Sequence, residues 1–392
     1  MGKKGKMEIS GPSRENTWQR FRRLMPVSNQ WTYLDNAAVA PLSLPAHEAI
    51  LQWARDSLEL GDVRCTEWSH RVERARGVAA RLIHAEPDEL AFVPNTTAGI
   101  NLVAEGILWQ EGDNVVTLDN EFPSNLYPWM NLARRGVETR RIRVGSAGVD
   151  AARIAEACDR RTRIVTVSWV GYSTGWRIDV AELARVAHER GALLFLDAIQ
   201  ALGLFPLDAR GSGVDFLAAD GHKWLLGPEG AGIFFVRREH LDRLRPLGVG
   251  WNSVVHAHDF SRIELHLRPS AERYEGGTMN TCGILGLGAS LQMLEDFGLG
   301  PAASPLADRV REITDYACRE LSDLGARIVS DRQGEHWSGI VAFDLPGRDP
   351  QAVRSRCLQE RVVLSCRAGH LRISPHAYAD ETDIDRLIRA LR

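Results

Sequence analysis

The sequence has no unbroken apolar run that approaches the ~18 residues of a membrane-spanning helix. Its charges are not biased toward one sign, because the formal net charge is -3 over 392 residues and no basic stripe stands out. We therefore expect neither a membrane nor a nucleic acid as a partner. No apolar core follows the basic N-terminus, so we expect no secretory signal and a cytoplasmic location.

Paired cysteine motifs are also lacking. The six cysteines lie at 65, 158, 282, 318, 357 and 366, and their spacing fits neither a zinc module nor a compact disulfide framework. Reduced thiols are the simplest interpretation. His256, His258 and Asp259 form a polar cluster without a fourth ligand nearby, so we expect no metal site. The composition is that of a globular protein, and the length favours two domains that share a cleft.

Two apolar stretches, each short enough for a buried strand, end in polar residues. The first delivers Asp197 and Gln200, and the second delivers His222 and Lys223. Because ligands of open α/β sheets bind beyond the carboxyl ends of the strands, we expect these four side chains to meet in one crevice. Strands alternate with amphipathic helices along the chain, which predicts a parallel sheet covered on both faces.

Asp197 and Lys223 are the residue types that pyridoxal phosphate chemistry needs. A lysine in a partly desolvated site loses its proton readily and can form a Schiff base. A buried carboxylate keeps the pyridine nitrogen of pyridoxal phosphate protonated, which makes the ring an electron sink. The pattern Asp197-x-x-Gln200, followed by Gly221-His222-Lys223, resembles the class V aminotransferases, the family of pyridoxal phosphate enzymes that includes the cysteine desulfurases.

The resemblance implies an α/β protein of fold-type I. Its large cofactor-binding domain, residues 31–250, would contain a mainly parallel seven-stranded sheet. A smaller α+β C-terminal domain would span 251–392, and an N-terminal arm, 1–30, would pack on it. The turn Glu275-x-Gly277-Thr278-x-Asn280 resembles one in which the family threonine reaches the phosphate in the partner subunit's site. The resemblance therefore implies a homodimer with shared active sites.

Further cofactor-binding residues follow from the resemblance. Thr96 and Thr97 open a predicted helix whose free N–H groups can bind a phosphate. Phe122 stands where the desulfurases carry a histidine that stacks on the cofactor ring, and it can stack but cannot carry a proton. Gln200 and His222 are expected to bind the ring oxygen or the phosphate.

Several positions depart from the desulfurase pattern. Trp169 replaces an asparagine, and Asp220 replaces a phosphate-binding serine. Since a carboxylate repels phosphate, we expect Asp220 to turn away or to bond to backbone. Leu371-Arg372 follows Arg367-Ala368-Gly369-His370 almost at once, so the family's loop with its nucleophilic cysteine is absent. Cys366 precedes this motif and does not match that nucleophile.

Two residues are candidates for substrate binding. Arg372 matches the family arginine that holds the substrate carboxylate. A guanidinium suits this role because it can bind a carboxylate with two parallel hydrogen bonds. The competing interpretation is that Arg372 forms a surface salt bridge. Asn36 lies in a Tyr-Leu-Asp-x-Ala-Ala segment that resembles one lining the family's substrate pocket. The roles of Tyr172 and Trp251 stay open, as does the identity of the substrate amino acid.

We therefore expect a pyridoxal 5'-phosphate enzyme that acts on the α-carbon of an amino acid through a Schiff base at its catalytic residue, Lys223, which then serves as general base. An aminotransferase is favoured. The alternatives are a C–S lyase acting on cysteine or cystine and an epimerase similar to isopenicillin N epimerase. Transfer through an enzyme persulfide is disfavoured because the matching cysteine is missing. A catalytically silent protein that binds the cofactor or a partner is the non-enzyme alternative, supported by Trp169 and Asp220.

Overall fold

The computed structural model describes residues 16–145 and 148–392, so residues 1–15 of the predicted N-terminal arm lie outside the described residues. The helices are α1 (Thr17–Arg23), α2 (Leu44–Leu60), α3 (Cys65–Leu82), α4 (Thr96–Gly106), α5 (Tyr127–Met130), α6 (Ala151–Ala157), α7 (Val180–Glu189), α8 (Thr281–Asp296), α9 (Pro305–Asp323), α10 (Pro350–Gln359) and α11 (Glu381–Leu391). The strands are β1 (Thr32–Tyr33), β2 (Leu90–Val93), β3 (Asn114–Leu118), β4 (Glu138–Ile142), β5 (Thr162–Ser168), β6 (Leu193–Asp197), β7 (Phe216–Asp220), β8 (Gly232–Val236), β9 (Arg327–Ile328), β10 (Val341–Asp344), β11 (Val362–Val363), β12 (Ser365–Arg367) and β13 (His370–Ile373).

A seven-stranded sheet forms the centre of the molecule, in the order β2-β8-β7-β6-β5-β3-β4. Strand β8 runs antiparallel to both of its neighbours, and the other adjacent pairs are parallel. The predicted α/β class with a mainly parallel seven-stranded sheet is therefore confirmed. Every residue of β7 is buried, as expected for a strand in a sheet that is covered on both faces.

Successive residues of β6 enter two different cores because side chains alternate across a strand. Phe195 joins a cluster with Ile100 and Val103 of α4 on one face. Leu194 and Leu196 join a larger cluster on the other face, to which α3, α7 and α8 contribute. This alternation fixes the carboxyl end of β6, and with it Asp197, relative to the helices.

A second sheet, antiparallel and four-stranded, has the order β12-β13-β10-β9 and shares an apolar core with α9, α10 and α11. The N-terminal helix α1 is tied to this region, since Arg22 lies 2.6 Å from Asp383 and donates to the Tyr378 carbonyl. Helix α8 instead packs against α2 and α3. Where the domains divide stays a prediction.

Strands β12 and β13 are joined by only two residues, Ala368 and Gly369. Both have positive φ angles, 49° and 85°, a combination typical of the tightest hairpin turns. The chain therefore turns back directly at the place where the resemblance would put a cysteine-bearing loop. Among the described residues, no helix has the length and apolar character required to span a bilayer.

Candidate active site

Lys223 lies just beyond the carboxyl end of β7 and is the only lysine after residue 6. Its side chain is nearly buried, and burial lowers its pKa to about 8, with Asp197 acting to raise the pKa and Arg372 to lower it. The segment before Lys223 packs tightly against the backbone of Ala231, and only a glycine fits at position 221. A Cβ atom on Gly221 would lie 2.6 Å from the carbonyl oxygen of Ala231. The site therefore holds an amine that gives up its proton far more readily than an ordinary lysine.

Asp197 ends β6 beside Lys223 and is 2% exposed. Burial raises the pKa of its carboxyl group to about 6, although the N–H of Ile199, 3.2 Å away, and the charge of Lys223 act in the opposite direction. The group is therefore mainly ionised at neutral pH, as a carboxylate opposite a pyridinium nitrogen must be.

A second buried carboxyl group, Glu121, was missed by the sequence analysis. It accepts a hydrogen bond from the backbone N–H of Ser168 at 2.7 Å and another from the Ser168 hydroxyl. Ser168 is paired with Asp197 across β5 and β6. Burial raises the pKa of Glu121 to about 7, Ser168 lowers it, and Asp197 raises it further. Its one sequence signal is a charged residue directly before the predicted stacking residue Phe122.

The amino terminus of α4 provides a cradle for an anion. Asn95 caps the helix by accepting an N–H of the first turn at 2.9 Å. The N–H groups of Thr96 and Thr97 precede the first intrahelical hydrogen bond, so they are free to bind a ligand. The Thr97 hydroxyl donates to Ser124 at 2.8 Å, and the Thr96 hydroxyl accepts the N–H of Asp220 at 3.0 Å. Their role as phosphate ligands stays a prediction.

The Asp220 carboxylate forms no hydrogen bond to backbone among the described residues, and one of its oxygens lies 2.9 Å from Nδ1 of His222. Its expected orientation away from a phosphate stays a prediction. Asp220 is 5% exposed, and its other oxygen, Oδ1, has no hydrogen-bond partner among the described residues.

Phe122 forms an open aromatic wall beside the amine. Nζ of Lys223 lies 5.7 Å from the centre of its ring, and the ring of Tyr172 packs edge-on against it at 5.3 Å. Phe122 is 43% exposed, and its stacking on a cofactor ring stays a prediction. Trp169 does not face this cleft, because it is buried against Phe205 at 6.2 Å between ring centres.

Gln200 and Asn36 use their amides within the protein. Nε2 of Gln200 donates to the Ala37 carbonyl at 3.0 Å, and its oxygen accepts from the indole of Trp224 at 3.2 Å. Asn36 is fully buried and donates to the Ser374 carbonyl at 2.9 Å. These bonds hold the small-residue loop after β1 against the crevice, while a direct role of either amide toward a ligand stays a prediction.

Arg372 is 1% exposed, so its salt bridge with Asp35, 3.0 Å away, is buried rather than on the surface. The guanidinium also donates to the Ser365 hydroxyl at 3.1 Å and to the Tyr172 carbonyl at 2.6 Å. Burial lowers the pKa of Arg372, against the pull of Asp35. Its predicted contact with a substrate carboxylate would use the N–H donors that remain.

Thr278 lies apart from these side chains in an exposed turn. The base of this turn is fixed, because Glu275 is buried, lies 2.7 Å from Arg76 and accepts the N–H of Phe92 at 2.6 Å. Thr278 therefore projects from an anchored turn, and its contribution to a second subunit stays a prediction.

The residues at this crevice fit pyridoxal phosphate. They provide one amine of lowered pKa, a buried carboxylate for the pyridine nitrogen, an aromatic wall and a helix terminus for a phosphate. Buried polar atoms beside the helix terminus, Asp220 Oδ1 and His222 Nδ1, also lack hydrogen-bond partners among the described residues. Fold and site together define a lysine-dependent α/β enzyme of the pyridoxal phosphate type.

Comparisons with known proteins agree with this class. The sequence model of the family Aminotransferase class-V matches residues 32–390. A probable cysteine desulfurase of Methanothermobacter thermautotrophicus is 33% identical over 89% of this chain and 86% of its own length. The isopenicillin N epimerase of Streptomyces clavuligerus is 32% identical, covering 95% and 97%. The cysteine desulfurase CsdA of Escherichia coli has a TM-score of 0.85 at 26% identity, covering 96% and 98%.

The chain therefore belongs to the class V aminotransferase family, and the predicted resemblance is confirmed. Members of this family are enzymes that depend on pyridoxal phosphate, which confirms the predicted cofactor. Aminotransferase activity is not confirmed by these comparisons, because the similar proteins named above are desulfurases and an epimerase, and an aminotransferase of Bacillus subtilis that is 27% identical is itself uncharacterised.

Proposed function

We propose that the protein is an aminotransferase, which exchanges the amino group of an amino acid for the keto group of a 2-oxo acid. The observation that carries this proposal is the pairing of Lys223 with Phe122. Lys223 supplies an amine with a pKa of about 8, and the wall beside it is a phenylalanine, which carries no proton. One base is sufficient for transamination, because Lys223 would take the proton from Cα and deliver it, on the same face, to the neighbouring carbon of the cofactor.

The residues at the crevice have separate tasks in this reaction. Bound pyridoxal phosphate supplies the electron sink and carries the amino group. Asp197 stabilises positive charge on the pyridine nitrogen, and Thr96, Thr97 and His222 bind the phosphate. Arg372 holds the substrate carboxylate and thereby sets the orientation of the Cα–H bond toward Lys223.

The test supplies the loaded enzyme with single amino acids and follows its visible absorbance and products. For an aminotransferase we expect one amino acid to remove the visible absorbance, a 2-oxo acid to restore it, and the two products to form in equal amounts. Lys223→Ala should abolish this exchange. Pyruvate and ammonia formed together with sulfide from cysteine, or together with cysteine persulfide from cystine, with the absorbance recovering unaided, would instead identify a C–S lyase.

Epimerisation is the second candidate, favoured by the Streptomyces clavuligerus epimerase, which matches nearly the whole chain. Inversion at Cα needs a second proton donor, and the phenol of Tyr172 beside Phe122 is the nearest candidate. We expect Tyr172→Phe to leave transamination intact. Loss of an epimerising activity in that variant, detected by chiral chromatography and by deuterium uptake at Cα, would favour the epimerase.

Transfer of sulfur through an enzyme persulfide has no support from the cysteines. The two-residue turn between β12 and β13 contains no cysteine, and Cys366 donates its thiol to the Pro350 carbonyl at 3.2 Å. Burial also raises the pKa of Cys366, which disfavours the nucleophilic thiolate. We therefore expect Cys366→Ser to retain full activity.

We also propose that the enzyme is a homodimer in which Thr278 contributes to the partner's site. The support is a segment that precedes this turn in the chain and exposes large apolar side chains: Phe260, Ile263 and Leu265 are 73%, 90% and 73% exposed. Such exposure is unusual for a monomer and favours an interface. Sedimentation should give a dimer. Ile263→Asp should yield monomers that bind pyridoxal phosphate more weakly, whereas Leu358→Asp, on the exposed side of α10, should not.

A further inference from the structure

Asp220, which is buried, and His222, which is partly exposed, form a pair at the edge of the proposed phosphate site. Their facing atoms, Asp220 Oδ2 and His222 Nδ1, are 2.9 Å apart, although the approach is not aligned as a regular hydrogen bond. The backbone of Asp220 is held by the Thr96 hydroxyl, at the first residue of α4. The pair is therefore fixed to the helix terminus whose N–H groups form the anion cradle.

We propose that Asp220 is a positioning residue that strengthens phosphate binding through His222, rather than weakening it by repulsion. This inference rests on the dependence of the family on pyridoxal phosphate and is independent of which reaction follows. It assigns a favourable role to a position where the resemblance alone predicts a serine and where a carboxylate would be unfavourable.

The chemistry of imidazole supports this role. A neutral imidazole has one N–H group, so it can donate to only one partner, whereas an imidazolium donates from both nitrogens. With Asp220 at Nδ1 and a phosphate at Nε2, both nitrogens of His222 face acceptors. The ring that satisfies both acceptors is the imidazolium, which also carries the charge opposite to that of the adjacent carboxylate. Charge-assisted donation to phosphate is also stronger than neutral donation.

Asp220 could affect phosphate binding in two opposite ways, and the direction of the change in affinity on its removal distinguishes them. Direct repulsion between Asp220 and a phosphate weakens binding whether or not His222 is present. An effect through His222 strengthens binding only while the imidazole is there. If Asp220 acts as proposed, its removal must weaken binding in the natural protein and must not weaken it once His222 has been replaced.

The experiment is a double-mutant cycle on the dissociation constant for pyridoxal 5'-phosphate, measured by reconstitution of the cofactor-free protein. Asp220→Asn keeps the shape of the side chain, and we expect it to raise this constant about tenfold, the scale of one charge-assisted hydrogen bond. In the His222→Gln background the same change should leave the constant unaltered or lower it. Tighter binding by Asp220→Asn alone would overturn the proposal.

Pyridoxal, which lacks the phosphate, is the matched control for a purely structural role. We expect Asp220→Asn to leave its binding within about twofold, since the contact with phosphate is absent. Equal losses for pyridoxal and pyridoxal 5'-phosphate, or equal losses in the presence and absence of His222, would show that Asp220 only maintains the fold and would overturn the proposal. Because both experiments measure ligand binding and not catalysis, their outcomes do not depend on the proposed aminotransferase activity.

Discussion

Arg372 and Asp35 form a buried ion pair, 3.0 Å apart, although 337 positions separate them in the chain. The pair joins strand β13 to the segment that follows β1, and Ser365 bonds to both partners, at 3.1 Å from Arg372 and 2.8 Å from Asp35. The guanidinium is therefore held in one orientation before any substrate arrives. Such preorganisation favours recognition of a planar carboxylate.

Asp35→Asn should both destabilise the protein and weaken substrate binding. It leaves the Arg372 charge buried without its counterion, which costs about 3–5 kcal/mol. Chemical unfolding measures the loss of stability, and steady-state kinetics should show a rise in KM larger than the fall in kcat. The double variant Asp35→Asn/Arg372→Gln should recover part of the stability but none of the substrate affinity. Unchanged stability in Asp35→Asn would contradict this account.

Glu275→Gln should loosen the turn that carries Thr278. Glu275 lies 2.7 Å from the buried Arg76 and also accepts the N–H of Phe92. These two partners balance the negative charge of its carboxylate inside the protein. Removing it leaves a buried guanidinium without that partner, and we expect a loss of about 3 kcal/mol in unfolding free energy. Glu73→Gln is the matched control, because Glu73 also pairs with Arg76 but is 55% exposed. A control loss as large as that of Glu275→Gln would be inconsistent with this account.

The strand-end positions of Asp197 and Lys223 could be predicted from the sequence because both follow short apolar runs. The geometry of a parallel sheet then places both residues at the carboxyl ends of the strands, on the same side of the sheet. The pairing of Asp35 with Arg372 could not be predicted, because it depends on a contact between opposite ends of the chain. The local pattern of apolar and polar residues carries no information about contacts between distant segments. The burial of Glu121 against Ser168 could not be predicted for the same reason.

The orientation of the side chains at the crevice could not be predicted from the sequence either. Asp220 was expected to turn away from a phosphate or to bond to backbone, and its proximity to Nδ1 of His222, 2.9 Å away, could not be foreseen from its charge alone. The amide of Gln200 could be placed near the crevice, yet its partners, Ala37 and Trp224, are fixed only by the packing of the loop. Residue type and spacing therefore predict which groups meet, and packing decides what each group bonds to.

Glu121→Gln should flatten the pH dependence of stability. The pKa of Glu121 is raised from 4.5 to about 7 in the folded state, so folding favours its protonated form. Its contribution is fully present below pH 4.5 and is lost as the pH rises to about 7, which amounts to about 3 kcal/mol. Urea unfolding of the cofactor-free protein between pH 4.5 and 8 measures this slope. An identical slope in Glu121→Gln would show that the carboxyl group is not the cause.

The amine of Lys223 should react with acylating reagents at a pH where ordinary lysines are inert. Its pKa is lowered from 10.5 to about 8, and only the neutral amine is a nucleophile. In the cofactor-free protein we expect the rate of acylation by 4-nitrophenyl acetate to rise with pH and to level off above about 8, following the neutral fraction of the amine. Since every other lysine lies at or before residue 6, mass spectrometry of the peptide containing Lys223 isolates its signal.

Asp197→Asn provides the matched control for this lysine. The carboxylate of Asp197 raises the pKa of Lys223, so its removal should shift the pH profile of acylation to lower pH. The shift has a definite sign because a neutral amide no longer stabilises the ammonium form. A profile that still rises at pH 10 in the natural protein would mean that burial does not perturb the amine. Lys223 would then lack the property that qualifies it as a base near neutral pH.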